Sequence, residues 1–413
     1  MPSYRRIFNS AAIFDNGRNH ENFPMKHLRL ICLFAPVIMS PVLGGEIPGI
    51  VKTKPAEGRF VETDTGIMVP YKVTIPGSNV SFHMEPVPAG TFVMGSPNGE
   101  AGRDDLEGPQ RKFNVEPFWM ARNEVTWGEY KVFMQLYHVF KDFEIKGIRK
   151  VTAENEVDSI TAPTVLYEAE FTFEFGNDDK QPAVTITQYS AKQYSKWLTA
   201  ITGNQFRLPT EAEWEYACRA GSTTAFHFGD DASKLTDYAW FAGNTDEDGT
   251  RKVGLKKPNQ WGLFDMHGNA AEWVLDAHAQ YVTSQTNLNA ATDWASTEDL
   301  DPRVVRGGSW EFPAEECRSA SRLGSDSAAW REYDPNLPKS PWWFTTDPAR
   351  GVGFRLIRPL KEVPRKDMEV FWQIDNEDTM YDVKDRLQEG RGVRGLVDKD
   401  LPAAIKENSD SAQ

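Results

Sequence analysis

From about residue 220 to about residue 360 the chain is dominated by Gly, Asn, Asp and aromatic residues, and helical periodicity is rare. Irregular backbone of that length does not keep a shape through hydrogen-bonded ladders alone. Buried aromatic rings, side-chain-to-backbone hydrogen bonds and bound metal ions are the devices that can tie it down. The composition supplies the first in quantity, with 13 Trp and 24 Phe against 3 Cys. The expectation is an aromatic-rich, loop-heavy α+β fold with little regular secondary structure.

Regular elements are easier to place before that stretch. Between Ile47 and Met94 short β-rich pieces alternate with Gly and Pro, for example Tyr71-Lys72-Val73-Thr74-Ile75. Thr126 and Glu129 form a capping box that opens a helix with Tyr130, Phe133, Met134 and Tyr137 on one face. A second helix is expected from Gln188 to Ile201, with Gly203 at its C-terminal cap, and a third from Thr210, paired with Glu213. Residues 138–180 read as an insertion, and the charged tail, residues 361–413, is expected to end in a mobile polar stretch.

Lys and Arg number 46 against 60 Asp and Glu, a net charge of −14. That balance argues against nucleic acid as a partner, because phosphate binding needs clustered cations. A mean hydropathy of −0.53 excludes a polytopic membrane protein. Met25 is followed by the basic residues Lys26, His27 and Arg29, the mostly apolar run Leu30–Leu43, and the small residues Gly44 and Gly45. This is the layout of a signal peptide over residues 25–45, preceded by an upstream extension, residues 1–24, and too short to span a bilayer. Pro36 and Pro41 speak against reading the run as a buried helix. The chain is thus expected to be exported, to the periplasm, the cell surface or the medium, with no transmembrane anchor after signal removal. Residues 46–79 then form a β-rich N-terminal segment.

The common catalytic signatures are absent. There is no HExxH, no P-loop, no GxGxxG after a strand, and Gly307-Gly308-Ser309-Trp310 is not a nucleophile elbow.

A series of ordered segments nevertheless carries a resemblance: Gly90-Thr91-Phe92-Val93-Met94-Gly95-Ser96, Asn123-Glu124-Val125-Thr126, and Arg207-Leu208-Pro209-Thr210-Glu211-Ala212-Glu213-Trp214-Glu215-Tyr216-Ala217. It continues through Trp261-Gly262-Leu263-Phe264-Asp265-Met266-His267-Gly268-Asn269, Glu272-Trp273, Arg306-Gly307-Gly308-Ser309-Trp310, Arg318–Arg322 and Gly353-Phe354-Arg355. Over residues 80–360 the chain resembles the formylglycine-generating enzymes, or sulfatase-modifying factors. The resemblance implies a C-type lectin-like fold with structural calcium. By similarity Asp265, the His267 carbonyl and Asn269 match one calcium site, while Trp240, Phe241 and Asp248 lie near another; without the family argument Asp265 and Asn269 read equally well as turn caps. Arg207 and the carboxylates of residues 210–215 suit a fixed ion-pair network.

Family enzymes oxidise a cysteine in an unfolded sulfatase segment, with copper held between two thiolates. Counting forward from Gly307, those positions here are Phe312 and Cys317, and the enzymes' active-site Trp is Ala271. Of that local set Ser309 remains, so the candidate catalytic residues are Cys317 and Ser309, and copper is not expected. Counting backward from Arg322, Cys317 instead lies near a structural cysteine that in some relatives pairs with the one matched by Cys218. Copper ligation by Cys317, a Cys218–Cys317 disulfide and an inert buried thiol all stay open. The iron-dependent sulfoxide synthases of the family add a helical domain that is not apparent here.

Three functions follow. The first is an exported module that binds an extended peptide, such as a sulfatase segment, or a glycan, in a cleft lined by Trp310, Trp342, Trp343 and Phe344. The second is a formylglycine-generating oxidase with an altered site. The third is a structural partner whose acidic face associates in a salt-sensitive way.

Overall fold

The computed structural model describes residues 47–166, 169–245, 249–281, 287–325, 330, 340–344 and 349–411. The expected upstream extension and signal peptide lie outside the described residues. Among the described residues no helix is long and apolar enough to cross a membrane.

Small sheets and short helices share the work, as the composition implied. One four-stranded antiparallel sheet runs in the order Ile357–Pro359, Phe118–Ala121, Ser81–Val87, Tyr71–Thr74. A second is built on the strand Ala271–Ala277, which pairs antiparallel with Arg303–Arg306 and parallel with Val352–Gly353. All seven residues of Ala271–Ala277 are buried, so this strand crosses the middle of the fold.

The helices begin and end where local chemistry directs. The Thr126 hydroxyl accepts from the Glu129 N–H at 3.4 Å, and Glu129 Oε2 accepts from the Thr126 N–H at 3.1 Å, opening the helix Trp127–Met134. Thr210 and Glu213 repeat the arrangement ahead of Glu211–Arg219. The helix Gln188–Thr202 stops at Gly203, whose φ of 73° is the left-handed cap that glycine adopts without strain. Tyr194, Trp197, Leu198 and Ile201 of that helix enter the main apolar core.

The irregular half is pinned by buried charge as well as by rings. Arg207 forms a bidentate pair with Glu213 at 2.7 and 2.8 Å. Glu215, fully buried, accepts from Arg306 Nη2 at 2.5 Å, Arg219 Nε at 2.8 Å and the Gly95 N–H at 2.9 Å. Arg322 grips Glu211, and Arg355 grips Glu272. The expected network is therefore larger than the 207–215 segment.

The end of the tail, expected to be a mobile polar stretch, is helical as far as Asp410. Residues 361–411 are folded: Arg394–Leu396 pairs antiparallel with Ser159–Thr161, and Leu401, which opens the helix Leu401–Asp410, is fully buried. The strand that receives it belongs to the 138–180 insertion, whose Phe140, Phe143 and Ile160 join the main core. Each segment covers apolar surface of the other, which is why neither stands free.

Candidate functional site

The two positions that would carry copper fall in an apolar pocket. Cys317 is buried in a cluster with Ala225, Phe226, Leu235 and Ala239, and Phe312 packs against the same cluster. Burial pushes the Cys317 thiol well above its ordinary range, and the nearby Glu316 and Glu315 carboxylates push it further. In the absence of a metal, a sulfur so placed is a protonated thiol packed as a small hydrophobe. Ala271, at the position of the enzymes' tryptophan, is buried in the central strand with its N–H on the Gly351 carbonyl at 2.8 Å. Ser309 is also buried, and its Oγ accepts from the Glu311 N–H of its own loop at 3.4 Å.

In this structure Cys218 and Cys317 are both free and buried. The His267 ring touches both residues, lying 3.8 Å from Cys218 Sγ through Nε2 and donating from Nδ1 to the Cys317 carbonyl at 2.8 Å. Because a carbonyl can only accept, Nδ1 carries the proton, and Nε2 is left to accept from His227 Nδ1 at 2.9 Å. Burial lowers both imidazoles, His267 to about 4 and His227 to about 2, so the pair is neutral. Desolvation likewise lifts the Cys218 thiol to about 12. Both thiols are expected to resist alkylation in the native protein and to react on unfolding, as peptide mapping by mass spectrometry would show. Rapid native labelling of Cys317 would contradict its placement.

The calcium residues are partly gathered. Asp265 and Asn269 both adopt left-handed backbone, at φ 57° and 67°. Asp265 Oδ2 accepts from the Gly254 N–H at 2.7 Å, while Oδ1 is buried without a partner. Glu124 Oε2 and Asn123 Oδ1 are in the same condition. Burial and mutual repulsion raise Glu124 strongly, and burial raises Asp265 beside it. Two carboxyls pushed toward their protonated forms, with an orphaned amide oxygen on the adjoining residue, form a hard-oxygen set that a divalent cation would satisfy. Among the described residues no three His, Cys, Asp or Glu side chains group around a metal. A cation here would therefore draw on two carboxylates with amide and backbone oxygens, a mixture that suits calcium better than zinc. Asn123 and Glu124 also line a cavity of about 360 Å³.

Asn269 ties the loop at Arg251 to Glu124. Its Oδ1 accepts from the Arg251 N–H at 2.8 Å and its Nδ2 donates to Glu124 Oε1 at 3.0 Å, so it holds Glu124 in place. The His267 ring faces the thiols. Trp240 joins this region through its carbonyl, which accepts from the Asn269 N–H at 2.8 Å, whereas the Phe241 N–H bonds Asn244. Asp248 lies outside the described residues. Sequence reasoning missed Glu124 and Asn123 as candidate ligands, although both stand in a motif already singled out.

The aromatic residues expected to line one cleft divide. Trp343 and Phe344 line a cavity of about 540 Å³ together with Trp273 and Trp330. Trp342 is fully buried, its indole N–H on Thr161 Oγ1 at 3.2 Å. Trp310 is buried elsewhere, stacked on Phe175 at 5.2 Å.

Comparison with known proteins places these features. Residues 78–333 match the sulfatase-modifying factor enzyme 1-like domain. The formylglycine-generating enzyme of Bos taurus is 27% identical over 267 residues, 57% of this chain and 68% of that protein. The Bos taurus protein named inactive C-alpha-formylglycine-generating enzyme 2 is 26% identical over 288 residues, 61% of this chain and 87% of that protein. Among solved structures, PvdO from Pseudomonas aeruginosa is similar at 28% identity and a TM-score of 0.49, covering 70% of this chain and all of that one.

Proposed function

The chain belongs to the sulfatase-modifying factor family, and on that premise we propose that it is an exported, non-oxidising binding module that keeps the family scaffold without its copper chemistry. The observation that carries this reading is the aromatic pocket in which Phe312 and a strongly desolvated Cys317 pack together. Copper between two sulfurs needs a pair of accessible thiolates, and a phenyl ring offers no donor. A relative whose name marks it as inactive shares 26% identity with this chain, beside 27% for one named for the activity.

Glu124 and Asp265, with the Asn123 amide, would hold a structural calcium ion, which supplies charge to pin the loops around Asn269. Residues 25–45 would direct export. The ligand class is an extended peptide, sulfatase segments included, or a glycan.

The test is to incubate the purified protein with a cysteine-containing sulfatase peptide, copper and oxygen, and to look for the aldehyde by mass spectrometry. No product is expected, from the native protein or from Cys317→Ser. Turnover that disappears in Cys317→Ser would restore the oxidase.

A further inference from the structure

The 540 Å³ cavity is built from two unlike walls. On one side Trp273 and Phe344 lie nearly parallel at 24°, their centroids 6.1 Å apart, with Trp330 edge-on to both. The indole N–H groups of Trp273 and Trp343 donate back into the protein, to the Ile186 carbonyl at 2.7 Å and the Thr164 carbonyl at 3.1 Å. These two rings therefore meet the cavity as carbon surface.

The other wall is polar and held rigid. Lys192 Nζ donates to Asp375 Oδ2 at 2.6 Å, and Arg303 clasps the same carboxylate at 2.8 and 2.9 Å. Lys192 is 1% exposed, and among the described residues its hydrogen bond goes to Asp375, leaving further ammonium N–H groups for an acceptor. Gln373, Asn376 and Asp378 add amide and carboxylate groups. These three, with Asp375, come from beyond residue 333, where the family match ends.

Charge and hydrogen-bonding capacity select the occupant. Among the described residues five aspartates line the cavity against one lysine and one arginine, a net charge of −3. Sulfate esters, phosphates and uronic acids are disfavoured by that charge. A basic peptide side chain would suit the carboxylates but leave the Lys192 ammonium facing another cation. A sugar ring meets every requirement, since its C–H face packs on aromatic carbon and its hydroxyls both donate and accept. The volume lies in the range of small-ligand sites.

We propose that this cavity binds a neutral saccharide, its ring against the Trp343–Phe344 wall and its hydroxyls shared between the aspartates and the Lys192 ammonium. The proposal rests on the binding-module reading and narrows it. The probes are methyl glycosides of glucose, galactose, mannose and N-acetylglucosamine and the corresponding disaccharides, each beside a sulfated counterpart. They are titrated into the whole chain by saturation-transfer NMR and tryptophan fluorescence.

At least one neutral saccharide is expected to saturate, with its sulfated counterpart weaker. Phe344→Ala and Gln373→Ala are each expected to weaken it about tenfold. Gln373 is exposed, so its variant tests the site without disturbing the core. No saturation by any neutral saccharide, or binding undiminished in both variants, overturns the proposal. Peptide binding that ignores both variants, with no saccharide bound, overturns it while leaving the binding module standing. Formylglycine production removes the underlying reading instead.

Discussion

Replacing Glu215 with alanine is expected to lower the unfolding free energy by about 3–5 kcal/mol, read as a shift in the urea midpoint. Glu215 is fully buried, and Arg306 and Arg219 beside it are almost so. Removing the carboxylate leaves two guanidinium groups and the Gly95 N–H without an acceptor they now share. The penalty is the desolvation of uncompensated charge, which is why it exceeds the worth of an ordinary ion pair. Glu62→Ala is the control, because its pair with Lys54 is exposed on both sides and should change little. A Glu215→Ala loss below about 1 kcal/mol would mean that water reaches Arg306 and that the network is looser than described.

Removal of divalent cation is expected to destabilise the protein through Glu124 and Asp265. With free calcium at a hundred times its dissociation constant, binding to the folded state contributes about 2.7 kcal/mol, and a chelator should abolish that increment. The thermal midpoint should fall in the chelator and recover with added calcium. Glu124→Gln removes one of the two carboxylates and should melt alike in both conditions. A native protein whose melting ignores calcium and chelator would sink the assignment, and the orphaned Asp265 Oδ1 and Glu124 Oε2 would need another partner.

Features decided within a few residues were legible in the sequence. The caps at Thr126, Thr210 and Gly203 depend on neighbours at fixed spacing, and each stands where that spacing puts it. The Arg207–Glu213 pair was legible for the same reason, six residues apart in one motif. The family scaffold was legible because many such motifs recur in order. What escaped was assembled at long range. Asp375 meets Lys192 and Arg303 across 183 and 72 residues, and no local pattern announces it. The same residues explain why the packing of the tail could not be read from local sequence. A run rich in Asp and Glu reads as solvated chain, but here Asp375 is the shared counter-ion of two buried cations, and its charge anchors the segment.

The sheet that joins Tyr71–Thr74, Ser81–Val87 and Phe118–Ala121 to Ile357–Pro359 has a consequence for synthesis. The partner of Phe118–Ala121 is made more than two hundred residues after it, and the insertion strand Ser159–Thr161 waits as long for Arg394–Leu396. A nascent chain therefore carries two unfilled strand edges until Ile357–Pro359 emerges, and one of them until Arg394–Leu396 follows. Contacts this distant in sequence close slowly. Each edge thus stays open while more than two hundred residues are added, and a deletion that takes Arg394–Leu396 reopens the one at Ser159–Thr161.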